Sequence, residues 1–343
     1  MAARLKVGLV GAGFFSQFHI DAWERLPGAQ LVGIADHDIA KAEAAGQGCE
    51  ADIYAGMDEM LALAKLDLVD IAAPPIAHLG LIEAALEAGV PVICQKPFCT
   101  SASEASAVVA KAERLGLMLA VHENFRFQPW YREIRRLIDD EVLGDLFQVM
   151  FRLRPGDGRG AEAYLSRQPF FQKMERFLVH ETAVHFVDVF RYLVGPIGGV
   201  TARLRQLNPV ISGEDAGYIL FDFKGGSTGL FDGNRLADHA AENHRLTMGE
   251  MVLEGTKATL RLDGQGRLFL RWFGESQESE HHYGWTDRGF GGDCVFALQS
   301  HIYDHLVDGK PLENAASDYL DVLMVEKAIY QSHQNRCYVS LNE

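Results

Sequence analysis

Leu5 to Asp36 read LKVGLVGAGFFSQFHIDAWERLPGAQLVGIAD. Leu5 to Val10 is an apolar run broken by Lys6 and Gly8, of the length expected for a buried parallel strand. It ends in Gly11-Ala12-Gly13-Phe14-Phe15-Ser16, after which Phe15, Phe18, Ala22 and Leu26 recur at helical spacing. A second run, Gln30 to Ala35, ends on Asp36. Strand, glycine turn, helix, strand and acid follow one another in the order a dinucleotide requires. Gly11 lets the chain turn sharply, and Gly13 leaves out a side chain where a pyrophosphate approaches the backbone. The helix N-terminus offers N–H groups and partial positive charge to the phosphates. Asp36 stands where it can accept the adenosine ribose hydroxyls. Ser16 replaces the third small residue of the strict fingerprint. Asp36 would repel a 2′-phosphate, and His37-Asp38 supply no Arg or Lys to bind one, so NAD is expected rather than NADP.

The alternation continues outward from this stretch. Leu66 to Ala73 reads as a strand closed by Pro74-Pro75, His78 to Ala88 as a helix stopped by Gly89, and Val90 to Cys94 as a strand. Ser103 to Leu115 is a helix and Leu117 to Val121 a strand. Parallel strands joined by helices make a doubly wound sheet, whose ligand edge lies at the strand C-termini. Gly11, Asp36, Pro74, Lys96 and Glu123-Asn124 follow such strand ends and are expected to line one rim.

Beyond about residue 125 the texture changes. A helix, Pro129 to Asp140, leads into alternating or aromatic-rich segments: Leu146 to Arg154, Gly199 to Leu207, Ala216 to Phe223, Thr228 to Asp232, Met251 to Gly255, Ala258 to Asp263 and Arg267 to Phe273. These predict a mainly antiparallel sheet. One helix, about Val179 to Val194, interrupts it, and Cys294 to Val307 and Ser317 to Gln334 close the chain. Two domains are expected, 1–125 for the nucleotide and 126–343 for substrate and oligomerisation, with a cleft between them.

The 343 residues can bury a sizeable core in two domains. A net charge of −15 argues against a nucleic-acid partner or an anionic membrane surface. Five scattered cysteines without a CxxC pair read as reduced thiols of a cytoplasm-like compartment, with no metal site implied. No apolar run approaches the length of a membrane span, and no leader pattern is seen.

Specific motifs carry a resemblance. Ala73-Pro74-Pro75-Ile76-Ala77-His78, Gln95-Lys96-Pro97 and Asn124-Phe125-Arg126-Phe127 follow the glycine turn in order. Beyond them come Glu181-x-Ala-x-His185-x-x-Asp188 and Tyr192-Leu193-Val194-Gly195. The chain thereby resembles, over essentially its whole length, the glucose–fructose oxidoreductase/inositol dehydrogenase/MocA family of NAD(P)-dependent oxidoreductases. The resemblance implies an α/β fold: an N-terminal Rossmann doubly wound parallel sheet plus a C-terminal α+β domain with a large open, mainly antiparallel sheet. That sheet would form a homodimer or homotetramer. The expected cofactor contacts are Gly11, Gly13, Phe14, Phe15, Asp36, His37, Ala73, Pro74, His78, Gln95, Lys96 and Asn124.

Lys96 is similar in position to the family's catalytic lysine, whose ammonium would bind the reacting hydroxyl and help remove its proton. His185 would serve as proton acceptor, its ordinary pKa lying near neutrality. Glu181, four residues earlier, would share one helix face with it. His180 and His185, five apart, would not share a metal from one face of an α-helix. His281-His282 reads as a solvated pair, and His301 and His305 as ordinary helix residues. Two departures stand out: Gln95 where the family motif has Glu, and Glu181 where it has Asp. Loss of a carboxylate beside Lys96 would let the amine deprotonate more readily. Substrate contacts are expected from Lys96, Glu123, Arg126, Arg152, Asp157, Glu181, His185 and Trp285, in loops whose charged groups and aromatics suit a polyhydroxylated sugar. Arg126 could hold substrate or cofactor, or brace the domain junction.

The leading reading is an NAD-dependent dehydrogenase of CH–OH donors, oxidising an aldose at C1 to its lactone, an aldopentose such as apiose among them, or a polyol hydroxyl. Two others compete: a redox-neutral, NAD-using glycosidase or sugar-rearranging enzyme, and a non-catalytic NAD- or sugar-sensing regulator.

Overall fold

A computed structural model describes residues 4–341. Its first compact unit runs through Asn124 and adds Cys294–Asp321, and its second comprises Phe125–Asp293 with the chain from Val322 on. A single cut near residue 125 is thus corrected for one segment.

In the first unit β1 (Leu5–Val10), α1 (Ser16–Arg25), β2 (Ala29–Ala35), α2 (Ile39–Ala45), β3 (Asp52–Tyr54), α3 (Met57–Leu63), β4 (Leu68–Ile71), α4 (Pro75–Glu87), β5 (Val92–Gln95), α5 (Ala102–Leu115) and β6 (Leu119–His122) alternate. All neighbouring strands are parallel, in the order β3-β2-β1-β4-β5-β6. This is the doubly wound Rossmann order. Helices cover both faces, so β4, β5 and β6 are buried at every residue and their sequences are apolar runs rather than alternations. Pro75 opens α4, where no partner N–H is missed. Ser101 caps α5 by accepting from Glu104 N–H, and Gly116 ends it at φ +65°.

The second unit carries α6 (Pro129–Asp139), β7 (Leu146–Leu153), a π-helical turn (Leu178–Ala183), α7 (Val184–Leu193), β8 (Ile197–Arg205), β9 (Ala216–Phe223), β10 (Thr228–Asn234), β11 (Gly249–Gly255), β12 (Ala258–Leu262), β13 (Leu268–Trp272) and β14 (Ser279–His281). With the late β15 (Val339–Ser340) these strands form one nine-stranded sheet, β14-β13-β12-β11-β7-β10-β9-β8-β15. Every ladder is antiparallel except β10 with β7. The sheet is covered on one face: Val149, Phe151 and Leu153 are buried while Gln148, Met150 and Arg152 point outward. Phe151, Phe186 and Phe231 stack into its core.

Two closing helices differ in allegiance. α8 (Cys294–Asp308) belongs to the first unit, and α9 (Ala316–Asn335) carries the chain from the first unit into the second. α8 lies along α1, with the Arg25 guanidinium 4.3 Å from the Phe296 ring centroid. A Cβ added at Gly28 would come within 2.1 Å of the Tyr303 hydroxyl, so the helix is closely seated.

Candidate functional site

The glycine turn has the two kinds of space a bound pyrophosphate needs. Gly11 has φ +100°, and a Cβ there would sit 2.6 Å from the Ala73 nitrogen, so only glycine fits against the end of β4. A Cβ on Gly13 would meet nothing within 4 Å. That open space matches the approach of a ligand. Ser16 turns inward, its hydroxyl donating to Gly13 O at 2.6 Å, which accounts for a serine in the third small position. Phe14 is half exposed beside the turn, and Phe15 packs on Phe18 and His19. Asp36 accepts from Ala12 N–H at 2.8 Å through one oxygen and from Asp38 N–H at 2.9 Å through the other. Its carboxylate therefore braces the turn. His37 lies against it at 3.2 Å with an otherwise exposed ring. These residues fit NAD.

The contrast between the glycines is testable. Gly13→Ala is expected to fold with unchanged melting temperature and to weaken NAD binding about tenfold or more. Gly11→Ala is expected to lower the melting temperature as well. Cofactor titration beside thermal denaturation reads both, and equal melting losses would refute the assignment.

At the end of β4, His78 is fully buried, and its Nε2 bonds Ala73 O at 2.8 Å. Burial pushes the ring below its ordinary pKa. The bond to Ala73 O ties the ring to the Ala73-Pro74 turn. Lys96 leaves β5 through a cis peptide to Pro97. Glu123 and Asn124 are buried at the end of β6. Gln95, also buried, points into a polar cluster that the sequence did not reveal. Its Nε2 lies 2.9 Å from His19 Nε2 and 3.2 Å from His122 Nδ1, and its Oε1 accepts from Lys96 N–H at 3.1 Å. Burial pushes the nearby Cys99 thiol up to about 12, and that of Cys94 well up, so neither is a thiolate nucleophile.

The second unit holds the other expected residues. His185 is buried, its ring stacked on Phe125 at 3.9 Å and 3°. Leu178–Ala183 is π-helical and α7 starts only at Val184, so Glu181 and His185 do not lie on one α-helix. For the same reason α-helical spacing no longer separates His180 from His185. His180 is held by Glu326 at 2.7 Å. Glu181 accepts from Arg235 at 3.1 Å and from the Thr182 hydroxyl. Arg235 is 1% exposed and also bonds Asp157 at 3.0 and 3.3 Å, Tyr164 Oη at 2.8 Å and Thr182 Oγ1 at 2.6 Å. Burial works against its charge, but Asp157, Tyr164 and Glu181 outweigh this and hold its pKa above the ordinary value. Asp157, expected at the substrate, is thus a partner of Arg235.

The Arg126 guanidinium grips both oxygens of Asp188 on α7, within the second unit. Arg152 faces Glu250 across the β7–β11 ladder at 3.3 Å. Trp285 packs edge-on against Trp130 at 5.6 Å. His281 is corrected from solvated to paired, 2.6 Å from Glu133, while His282 is exposed. His301 accepts from Glu313 N–H and His305 bonds Lys310 O. Among the described residues, no three His, Cys, Asp or Glu side chains are grouped to hold a metal ion.

Residues 5–123 match the family model described as oxidoreductase family, NAD-binding Rossmann fold, and residues 131–261 that of the GFO/IDH/MocA C-terminal domain. A D-apiose dehydrogenase of Paraburkholderia graminis is 37% identical over 268 residues, 77% of this chain and 69% of that protein. Another, of Rhizobium rhizogenes, is 31% identical over 338 residues, 96% of each. The crystal structure of an Agrobacterium radiobacter oxidoreductase, in complex with NAD+, L-tartaric acid and magnesium, superposes with a TM-score of 0.88 at 30% identity and covers 98% of both chains. With both parts matched in order and one relative alike over nearly its whole length, the chain belongs to the GFO/IDH/MocA family of oxidoreductases, and its first unit carries the family's NAD-binding Rossmann domain.

Proposed function

We propose that this protein oxidises a small sugar with NAD, taking an aldopentose such as D-apiose at C1 to its lactone. The observation that carries the reading is likeness along 96% of the chain to a D-apiose dehydrogenase. It is supported by Lys96 at the end of β5 and by an NAD-fitting turn at the end of β1. NAD, when bound, accepts the hydride from the carbinol carbon. The chain's own residues have separate tasks. The Gly11–Gly13 turn and the first N–H groups of α1 hold the pyrophosphate, and Asp36 holds the ribose. Lys96 binds the reacting hydroxyl through its ammonium and favours loss of its proton. His185, its ring plane fixed by Phe125, accepts that proton. Glu181 is held as an acceptor by Arg235 and Thr182, oriented for a sugar hydroxyl rather than for donating a proton.

The subunits associate through the open face of the nine-stranded sheet. The support is an outward apolar row in direct register, Leu220, Leu230, Met150 and Val252. No helix among the described residues is long and apolar enough to cross a membrane, and five scattered cysteines with no CxxC pair suit the cytoplasm.

Absorbance at 340 nm with NAD and a panel of aldoses, ketoses and inositols tests the reading. D-apiose is expected to give NADH with the highest kcat/KM. NADH from none of the sugars, with NAD bound, would overturn it. A monomer mass in sedimentation would overturn the association.

A further inference from the structure

Behind Lys96 lies a continuous chain of hydrogen bonds that solvent does not reach. Asp70, His19 and His122 are fully buried and Gln95 nearly so. Asp70 Oδ2 accepts from His19 Nδ1–H at 2.7 Å, from Trp23 Nε1–H at 2.8 Å and from Gln299 Nε2–H at 3.3 Å. On the far side of the His19 ring, Nε2 meets the Gln95 amide at 2.9 Å. The same amide group reaches His122 Nδ1, and the two imidazoles stack at 4.1 Å. The Gln95 carbonyl accepts the Lys96 backbone N–H.

The Lys96 peptide settles the orientation of every member. Its N–H can only donate, so the Gln95 oxygen must face it and the Gln95 NH2 must face the rings. Two donors then point at His19 Nε2 and His122 Nδ1, and both nitrogens must be lone-pair acceptors. His19 is therefore the neutral Nδ1–H tautomer, donating to Asp70, and His122 the neutral Nε2–H tautomer. Burial, with His19 beside it, drives His122 down to about 3, in keeping with that state. Burial raises Asp70, but His19, His122 and Trp23 more than offset this and keep it ionised. His19 meets Asp70 from β4, His122 from β6 and Gln95 from β5, while Trp23 from α1 and Gln299 from α8 share its Asp70 oxygen. Cys94 on β5 is coupled to Asp70 as an uncharged thiol.

We infer that His19 and Gln95 are positioning residues for Lys96: the chain Asp70–His19–Gln95 fixes the peptide from which the lysine side chain starts, and it requires an amide at residue 95. A carboxylate there would set an oxygen against the His19 Nε2 lone pair. The two coexist only when His19 takes a second proton, as an imidazolium between Asp70 and residue 95. His122 is the weaker candidate for that proton, because its remaining nitrogen, Nε2, has no hydrogen-bond partner among the described residues. The role rests on the proposed function of Lys96, whereas the tautomer assignment does not.

The test combines histidine NMR with pH–rate profiles on the full chain. Wild-type His19 is expected as the neutral Nδ1–H tautomer across the neutral range. In Gln95→Glu it is expected as an imidazolium that loses its proton on the alkaline side. Since only the imidazolium lets the introduced carboxylate accept from both His19 and the Lys96 peptide while Asp70 keeps its own donor from His19, kcat should acquire a new alkaline limb coincident with that titration. Gln95→Met, with no hydrogen bonds to give, should lose about tenfold or more in kcat at every pH. Wild-type His19 found as an imidazolium or as the Nε2–H tautomer would overturn the chain. A Gln95→Glu profile that shifts only its acidic limb, with His19 unchanged, would overturn it in favour of a direct charge effect on the lysine. If Lys96→Met itself keeps full activity, the catalytic reading fails, and the tautomer result still decides the chain.

Discussion

Lys96→Met is expected to lower kcat by roughly 10²- to 10⁴-fold, the usual worth of a positioned proton-transfer group. Methionine keeps the length and apolar stem of lysine and removes only the ammonium, so packing next to Pro97 is preserved. The Lys96 backbone bond to Gln95 does not depend on the side chain. NAD affinity and melting temperature should therefore stay close to wild type, and the loss should fall on kcat more than on KM for the sugar. Single-turnover NADH formation measures the chemical step apart from product release. A kcat within threefold of wild type would remove Lys96 from the chemistry. His185→Asn tests the partner role: if both residues serve one proton transfer, the double variant should be little worse than the poorer single one.

Arg235→Met is expected to cost roughly 3–5 kcal/mol of stability, the usual consequence of deleting one member of a buried charge cluster. The guanidinium is 1% exposed, and its removal strands Asp157 and Glu181 with Tyr164 and Thr182 around an apolar thioether. The rings of Tyr164 and Phe177, which lie 5.2 and 4.7 Å from its carbon centre, lose a cation as well. For a domain of this size the change corresponds to a melting shift of roughly 6–20 °C. Urea unfolding followed by tryptophan fluorescence would measure it. Adding Asp157→Asn to the variant should recover part of the loss, because one uncompensated charge disappears. A shift below about 1 kcal/mol would show that the cluster is wetter than its burial implies.

These two residues were not equally legible. Lys96 could be found because a continuous apolar run, a strand end and Pro97 surround it in sequence. The same logic exposed β1 and β2, mostly apolar runs buried toward their C-terminal ends, and α1, whose apolar residues recur at helical spacing. It missed α2, β3 and α3, short elements at the edge of the sheet that bury few side chains: Ala42 in α2, Tyr54 in β3, Met57 and Met60 in α3. Arg235 left no local trace, because its partners Asp157, Tyr164 and Glu181 lie 54 to 78 residues away. The π-turn was invisible because six residues do not reveal whether bonds run to i+4 or i+5. Gln95 was legible as a departure from the family motif but not as to its meaning, since His19 and His122 are 76 and 27 residues distant. Two signals were present all the same. Asp70 is a lone acid inside an apolar strand, and His19 falls on the apolar stripe of α1 between Phe15 and Trp23.

The seating of α8 against α1 has a consequence for how the protein comes into being. On the ribosome, β1 to β6 emerge long before the helix that completes their unit. The residues between Asn124 and Cys294 take roughly 8 to 34 s to add at about 5–20 residues per second. Throughout that interval α1 lacks Phe296, Gly28 lacks Tyr303, and Asp70 lacks the Gln299 donor. The part of the molecule that is made first is therefore among the last to be finished, and the nascent chain carries an open apolar seam while the second unit is still being synthesised.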